Sequence, residues 1–562
     1  MKNAFKKLLS TILLTIICIS LAACVDPEDV GKVSGVTTKP GAEQLNTQVA
    51  DTTKAQLYIS NFNGGYGSEF LVNAINRFCE MYKDTEFIPG TKGVQIWVDQ
   101  HKGLNPETMN GSRDEIYFLE NMNYYDMLYS GYLLDITDMV TEKLTAYGEN
   151  QSIEDKIPET YRNYFKTEQG KYYALPHYVS GFNITYDIDV MDKNSLFRSE
   201  DGEFNCTSTS PNLSSGPDGK KGTYDDGLPA TYDEFYELCD AMKRRSVTPI
   251  GWSGMYDFYI TTFMAQLKAD FEGSEAPISY IFDGTATKLV DSINSDGSIN
   301  YMPATTITPE NGYLMFKSAG SYYSYKFIEG LLSGNYYYSR SFNGSISHMD
   351  IQSIYLLSRF KQQTGIGSEG MAMLVEGEWW VNEASATFGQ MKTYKNASLA
   401  ERRIALMPLP KATQAQVGEK QTILDANNSL CCISAFIAPE KITLAKKFLQ
   451  FMETNESLCE FFVSTNTPRA YSFDYSGIYD SLCPYAKSVL NLYYENAEIV
   501  LPLSSSRFFY KNYSEFNSQI IMQTKEHITP ARDMSKGVTA NQLFSELNNK
   551  YSSSMWTNML NK

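Results

Sequence analysis

The stretch KYYALPHYVSGFNITYDIDVM, residues 171–191, holds two strand-like pieces, one running into Pro176 and one leaving Gly181. Extended pieces parted by a proline and a glycine suit a chain that crosses from one body to another, so a hinge is expected here. Upstream, QLYISNF (56–62) alternates as a strand does, NGGYG supplies a turn, and EFLVNAINRFCEMY carries apolar residues at helical spacing. GVQIWVDQ (93–100) and DEIYFLE (114–120) read as further strands, and YYDMLYSGYLLDITDMV as a helix with a glycine stop. Alternating β and α signals predict a parallel sheet and an α/β fold.

Downstream of the hinge lies a polar loop, residues 199–229, and then the helix ATYDEFYELCDAMKRR, with Thr231 as cap and Glu234 placed for a capping box. Helices are expected to dominate as far as Gly365. GMAMLVEGEWW (370–380), RRIALMPLPKA (402–412) and SLCCISAFI (429–437) read as strands, ITLAKKFLQFMETNESLCEFFVS as helical, and the remainder as largely helical. No tandem repeat is visible.

The 562 residues are 43% hydrophobic and 20% charged, which excludes a disordered, collagen-like or multi-span membrane chain for most of the length. With 48 Lys plus Arg against 65 Asp plus Glu, the net charge of −17 argues against a surface that binds phosphate backbones, and nucleic acid is not an expected partner. Forty Tyr and 30 Phe beside 5 Trp supply ample amphipathic surface. Past residue 24 the cysteines are seven, none in a CxxC; Cys431 and Cys432 sit in an apolar run and read as buried thiols.

MKNAFKKLLSTILLTIICISLAAC, residues 1–24, has three lysines, an apolar run and small residues before a cysteine, the pattern of an export signal spanning 1–23. Leu21-Ala22-Ala23-Cys24 resembles the lipobox of bacterial lipoproteins, which implies lipidation of Cys24 and anchoring at the outer face of a bacterial, Gram-positive cytoplasmic membrane. Losing the signal would remove three lysines and leave a charge of about −20. Residues 24–54 read as a lipidated cysteine and flexible tether, with the fold starting at Ala55.

Taken in order, ISNFNGGYG, EIYFLENMNYYDMLYSGYLLDIT, YYALPHYVSGFNITYDIDVM, LPATYDEFYELCDAM, GMAMLVEGEWW, IALMPLPKA and KKFLQFMETNES resemble the carbohydrate-binding, maltose-binding-protein-like family 1 of ABC-transporter solute-binding proteins. The likeness covers about residues 55–470. It implies a type II periplasmic-binding-protein fold of two α/β lobes with a hinge and an interlobe cleft, lobe 1 being 55–178 plus 408–465 and lobe 2 being 179–407 plus 466–562. It also implies a monomeric receptor that closes on a sugar, an oligosaccharide in view of the aromatic content, and delivers it to permease subunits. ATP hydrolysis would belong to another subunit, in keeping with the lack of GxxxxGK[ST] in this chain.

A sugar calls for amide or carboxylate partners for its hydroxyls and aromatic faces for its C–H surfaces. Asn61, Asn63 and Tyr66 follow the family's first strand, though Asn63 with two glycines is equally turn chemistry. Glu120 and Asn121 end the third strand, where ligands gather in parallel sheets. His177 and Tyr178 lie at the crossover, His177 as a hydroxyl partner or as a structural histidine. GEWW resembles the family's strand-end Gly-x-Trp, which implies that Trp379 stacks on a sugar ring, with Glu378 accepting hydroxyls and Trp380 in either a site or a core role. Asn427, Asn428 and Arg469 complete the ligand candidates. In GPDGKKGTYDDG, Asp218, Asp225 and Asp226 suit either a structural calcium ion or a plain acidic turn, the EF-hand pattern being absent; no cofactor is required.

Two other classes stay open. A surface carbohydrate hydrolase would use Glu376 with Glu378, or Asp225 with Asp226, as acid and base, but the four histidines form no HExxH and no GxSxG occurs, so a non-enzymatic role is expected. A receptor for a non-sugar solute such as a peptide is the other, and an adhesin is less favoured than either.

Overall fold

The computed structural model describes residues 49–101, 104–274, 285–286, 288–308, 310–501 and 530–560. The signal segment, Cys24 and the first part of the tether lie outside the described residues. Among those described, no helix is long and apolar enough to cross a membrane.

The chain divides into two compact units, both α/β. The first takes residues up to Lys156, Glu168–His177 and Ser429–Thr465; the second takes Ile157–Thr167, Tyr178–Asn428 and everything from Asn466. The chain therefore passes between units at 177/178, inside the stretch from which the hinge was read. The boundaries differ from the expected lobes at Tyr178, by one residue, and over two longer stretches. Residues 157–167 join the second unit because Tyr161 donates its hydroxyl to Asp425 and Asn428 donates to the Tyr164 hydroxyl. Residues 408–428 do so because Lys411 forms a buried ion pair with Asp270, whose carboxylate also accepts the Thr422 N–H.

The first unit is built on a five-stranded sheet ordered Val94–His101, Ala55–Phe62, Ile116–Leu119, Leu430–Ile433, Ala174–Pro176. The first three strands run parallel, as the alternation of β and α predicted, and the Leu430–Ile433 strand is antiparallel to both its neighbours. Helix Glu69–Met81 turns Phe70, Leu71, Ala74, Ile75 and Phe78 inward, the face its helical spacing marked. The expected single helical stretch at 442–464 is two helices, Ile442–Met452 and Asn455–Thr465. Ordered structure begins before Ala55: Asp51 N–H donates to Gln95 Oε1 (2.8 Å) and Lys92 N–H to Thr53 O (2.7 Å), so residues 51–54 belong to the fold rather than to the tether.

The second unit centres on a four-stranded sheet ordered Ile404–Met407, Phe182–Asp187, Met371–Gly377, Thr248–Gly251, antiparallel at its first two pairings and parallel at the last. Phe182–Asp187 and Met371–Gly377 are buried at every position; Met371–Val375 is accordingly a continuous apolar run, whereas FNITYD alternates and buries Asn183, Thr185 and Asp187 as well. A parallel pair, Gln421–Leu424 with Ala497–Val500, lies beside helix Phe258–Glu272. Thr231 caps helix Tyr232–Arg244 as expected, but the Glu234 carboxylate takes the N–H of Ala230, one residue earlier than a capping box requires. The region expected to be helical up to Gly365 also holds the hairpin Val290–Ile293 and Ile299–Tyr301.

Candidate functional site

In the first unit the strand ends behave as turn and core. Asn63 accepts the Gly67 N–H at 2.8 Å, the turn role rather than a ligand role. Gly64 has φ +59°, and a Cβ there would lie 2.6 Å from Glu120 Oε1 and 2.5 Å from the Tyr66 ring, so glycine lets the first turn and the end of the third strand meet. Glu120 is thus brought to the turn at Gly64, while Asn121 beside it is exposed in a left-handed conformation. Asn61 donates to Gln100 Oε1 at 3.1 Å. Tyr66 and His177 depart from the ligand reading. Tyr66 packs on Phe70 and Phe461, and His177 is wholly buried, with ring centroids 4.8 Å from Phe118, 5.5 Å from Phe461 and 5.8 Å from Phe70. Aromatic packing has claimed the histidine as a core residue.

In the second unit Trp380, for which a site and a core role were both open, lies in the core, and Trp379 departs from the stacking role expected of it. Trp380 is 0% exposed and meets Tyr355 and Tyr485 edge-on. Trp379 is 5% exposed, edge-on to Phe182 at 5.4 Å, and a Cβ on Gly377 would fall 2.2 Å from its ring. No ring-sized face of Trp379 is open to a sugar; the Gly-x-Trp spacing serves to fold the indole back over its own strand end.

Glu378 is buried as well, and its carboxylate is fully engaged: it accepts Gly181 N–H at 3.2 and 3.1 Å and Asn183 Nδ2 at 2.9 Å. Burial, reinforced by the charge of Asp425, pushes its carboxyl well above the usual range. Glu376 is equally buried, accepts Gln352 Nε2 at 3.1 Å, and is raised by burial and by neighbouring Glu383. Two enclosed carboxylates with structural partners do not form the open acid and base pair of a hydrolase. In the acidic loop, Asp225 is buried and accepts Asp218 N–H (2.9 Å) and the Thr223 hydroxyl (2.7 Å), while Asp226 accepts Gly222 N–H (2.7 Å). These bonds describe an acidic turn. Among the described residues, no group of three or more His, Cys, Asp or Glu is placed to hold a metal ion.

The second unit contains a cavity of about 500 Å³ whose wall includes Tyr161, Tyr471, Tyr493 and Tyr494, with Arg469, Glu159 and Asn163 among its polar members. Its wall is drawn from helix Glu159–Phe165, from Val179 just past the 177/178 passage, and from residues 468–472 and 493–499. Arg469, singled out in the sequence, lies here with its guanidinium 5.1 Å over the Tyr471 ring. Tyr178, also singled out, pairs backbone to backbone with Arg469. Three of the tyrosine hydroxyls have protein partners: Tyr161 donates to Asp425 Oδ2 at 2.7 Å, Tyr494 donates to Arg469 O at 2.7 Å, and Tyr493 accepts Asn183 Nδ2 at 3.0 Å. Tyr161, Tyr471 and Tyr493 are buried, so of the four rings Tyr494, which is half-buried, is the one with carbon surface open to a ligand's C–H groups.

Asp425 is fully buried, and desolvation pushes its carboxyl up to about 6 despite bonds from Tyr161, Ser180 and the Asn427 and Asn428 backbones. Asn427 and Asn428 are buried beside it, Asn428 donating to Tyr164 Oη at 3.1 Å, so both serve this framework. Sequence reading missed the tyrosines and Asp425. Among 40 tyrosines nothing local marks these four, and their convergence from positions more than 300 apart is visible only after folding.

No protein-family model matches the chain, and no curated protein does. Solved structures do. A chitin oligosaccharide binding protein superposes with a TM-score of 0.53 at 15% identity, covering 89% of this chain and 98% of its own. A probable secreted solute-binding lipoprotein from Streptomyces coelicolor gives 0.53 at 12%, covering 89% and 99%. A binding protein of an ABC transporter from Bifidobacterium animalis subsp. lactis, in complex with mannobiose, gives 0.51 at 14%, covering 90% and 95%. Across nearly their whole lengths, the chain shares the α/β fold of these binding proteins.

Proposed function

We propose that this chain is the substrate-binding component of an ABC importer, anchored outside the cell through Cys24, which captures a carbohydrate and passes it to a membrane permease. The fold neighbours described as binding chitin oligosaccharide and mannobiose favour a sugar, and the observation that carries the reading in this chain is the tyrosine-walled cavity of the second unit. The half-buried Tyr494 ring, with the exposed Glu159 carboxylate and Asn163 amide on the same wall, combines stacking surface with hydroxyl partners, which is what a sugar needs. The enclosure of Glu376 and Glu378 favours binding without hydrolysis.

A thermal-shift screen against mono- and oligosaccharides tests this, because a ligand that binds only the folded state raises the melting point by mass action. A shift that Tyr494→Ala reduces supports the cavity as the site. A shift given by peptides and by no sugar would reassign the solute, and release of reducing ends would reassign the protein to the hydrolases. Retention of the chain on cells, with release to the medium on Cys24→Ser, tests the anchor.

A further inference from the structure

Just past the passage at 177/178, two buried carboxylates take successive backbone N–H groups. Asp425 Oδ1 accepts Ser180 N–H at 3.3 Å and the Ser180 hydroxyl at 3.4 Å; Glu378 accepts Gly181 N–H with both oxygens. Each carboxylate also reaches the cavity wall. Asp425 holds the Tyr161 hydroxyl directly, and Glu378 holds Asn183, whose same Nδ2 donates to Tyr493. Gln421 Nε2 fixes the other end of the Asn183 amide at 3.2 Å. The Ser180–Gly181 link is itself against the wall: a Cβ on Gly181 would lie 2.9 Å from the Tyr493 hydroxyl and 2.8 Å from Ile423.

We propose that Asp425 and Glu378 act together as positioning residues for the cavity, gripping one peptide link between them and through it setting Tyr161 and Tyr493 as a pair. The proposal rests on reading the cavity as the binding site. Enclosing two carboxylates is costly unless they are well bonded, so single-purpose structural bonds would be met more cheaply by amides. Two acids are what a shared grip on adjacent N–H donors and two tyrosines calls for. The residues gripped come from all three segments of the second unit: Tyr161 from 157–167, Ser180, Gly181 and Asn183 from the start of 178–428, and Tyr493 from the segment after Asn466. A ligand that displaces either ring would therefore act on all three.

The full mature chain, carrying 13C-labelled tyrosine, tests this by NMR, with the Tyr161 and Tyr493 signals assigned through Tyr161→Phe and Tyr493→Phe. The charged and titratable groups bearing on the pair are each other, Tyr161, Tyr494, Tyr485 and Glu376. In wild-type protein, titration from pH 4.5 to 8 is expected to move both signals with one midpoint. Asp425→Ala should displace Tyr493 as well as Tyr161, Glu378→Ala should displace Tyr161 as well as Tyr493, and Asp425→Asn and Glu378→Gln should restore the more distant ring. A titration seen in Tyr161 and absent from Tyr493, or variants that each move only their own tyrosine, would overturn the proposal. The wild-type titration decides it even where an alanine variant does not fold. Mannobiose and chitobiose added to the same samples read the binding function separately: a sugar that leaves both signals unmoved counts against the cavity as its site and not against the coupling.

Discussion

The Tyr161 hydroxyl donates to Asp425 Oδ2 at 2.7 Å, and both residues are withdrawn from solvent. The bond spans 264 residues and joins the cavity wall to the segment that ends at Asn428.

Its electrostatics give a pH signature. Asp425 sits at about 6 in the folded chain against an ordinary 3.8. A carboxyl raised by folding binds more protons when folded than when unfolded, so its contribution to stability falls as pH rises from 4 to 6 and stays low above that. The difference is up to about 3 kcal/mol, from roughly two pH units at 1.36 kcal/mol each. Asp425→Asn, which cannot ionise, should be more stable than wild type at pH 7.5 and lose that advantage at pH 4.5. Paired melting curves at the two pH values check this; an equal gap at both would refute it.

Gly377 and Trp379 form a second test. A Cβ at residue 377 would sit 2.2 Å from the indole, so Gly377→Ala must drive the ring out of its place beside Phe182. We expect a loss of about 1–3 kcal/mol and a red-shifted tryptophan emission. Unchanged emission would show that the ring is not held as described.

Asp187, at the end of strand Phe182–Asp187, and Arg402, two residues before strand Ile404–Met407, are a fully buried ion pair. Asp187 also caps helix Ile188–Lys193, accepting Asp189 N–H at 3.0 Å and Val190 N–H at 3.2 Å, and Arg402 donates to Leu356 O at 3.2 Å. Asp187→Ala strands a charge and removes a cap, so chemical denaturation should show a loss of about 3–5 kcal/mol. Replacing both with well-packed apolar residues should cost less than the single change.

Gly64 offers a rescue test in the first unit. Gly64→Ala meets both a left-handed backbone and the Glu120 carboxylate. It should destabilise by about 1–3 kcal/mol, and Glu120→Ala in the same chain should recover the share due to the carboxylate, leaving the clash with the Tyr66 ring and the backbone strain. Strictly additive losses would show that the two residues do not touch.

What was legible in the sequence is what local chemistry decides. Strand Ala55–Phe62, helix Glu69–Met81, the buried strand Met371–Gly377 and the crossing near residue 178 were readable because periodicity, glycine and proline act over a few residues. The order of those elements carried the resemblance to the solute-binding fold. What only the tertiary structure decided is which side chains face water. His177 and Trp379 have the chemistry of a sugar site, yet aromatic neighbours remote in sequence, Phe118 and Phe461 for one and Phe182 for the other, enclosed them. Tyr161, Tyr493 and Asp425 look ordinary where they stand in the chain. They form a wall and its support because burial and hydrogen bonding depend on distance in space, which separation along the chain does not measure.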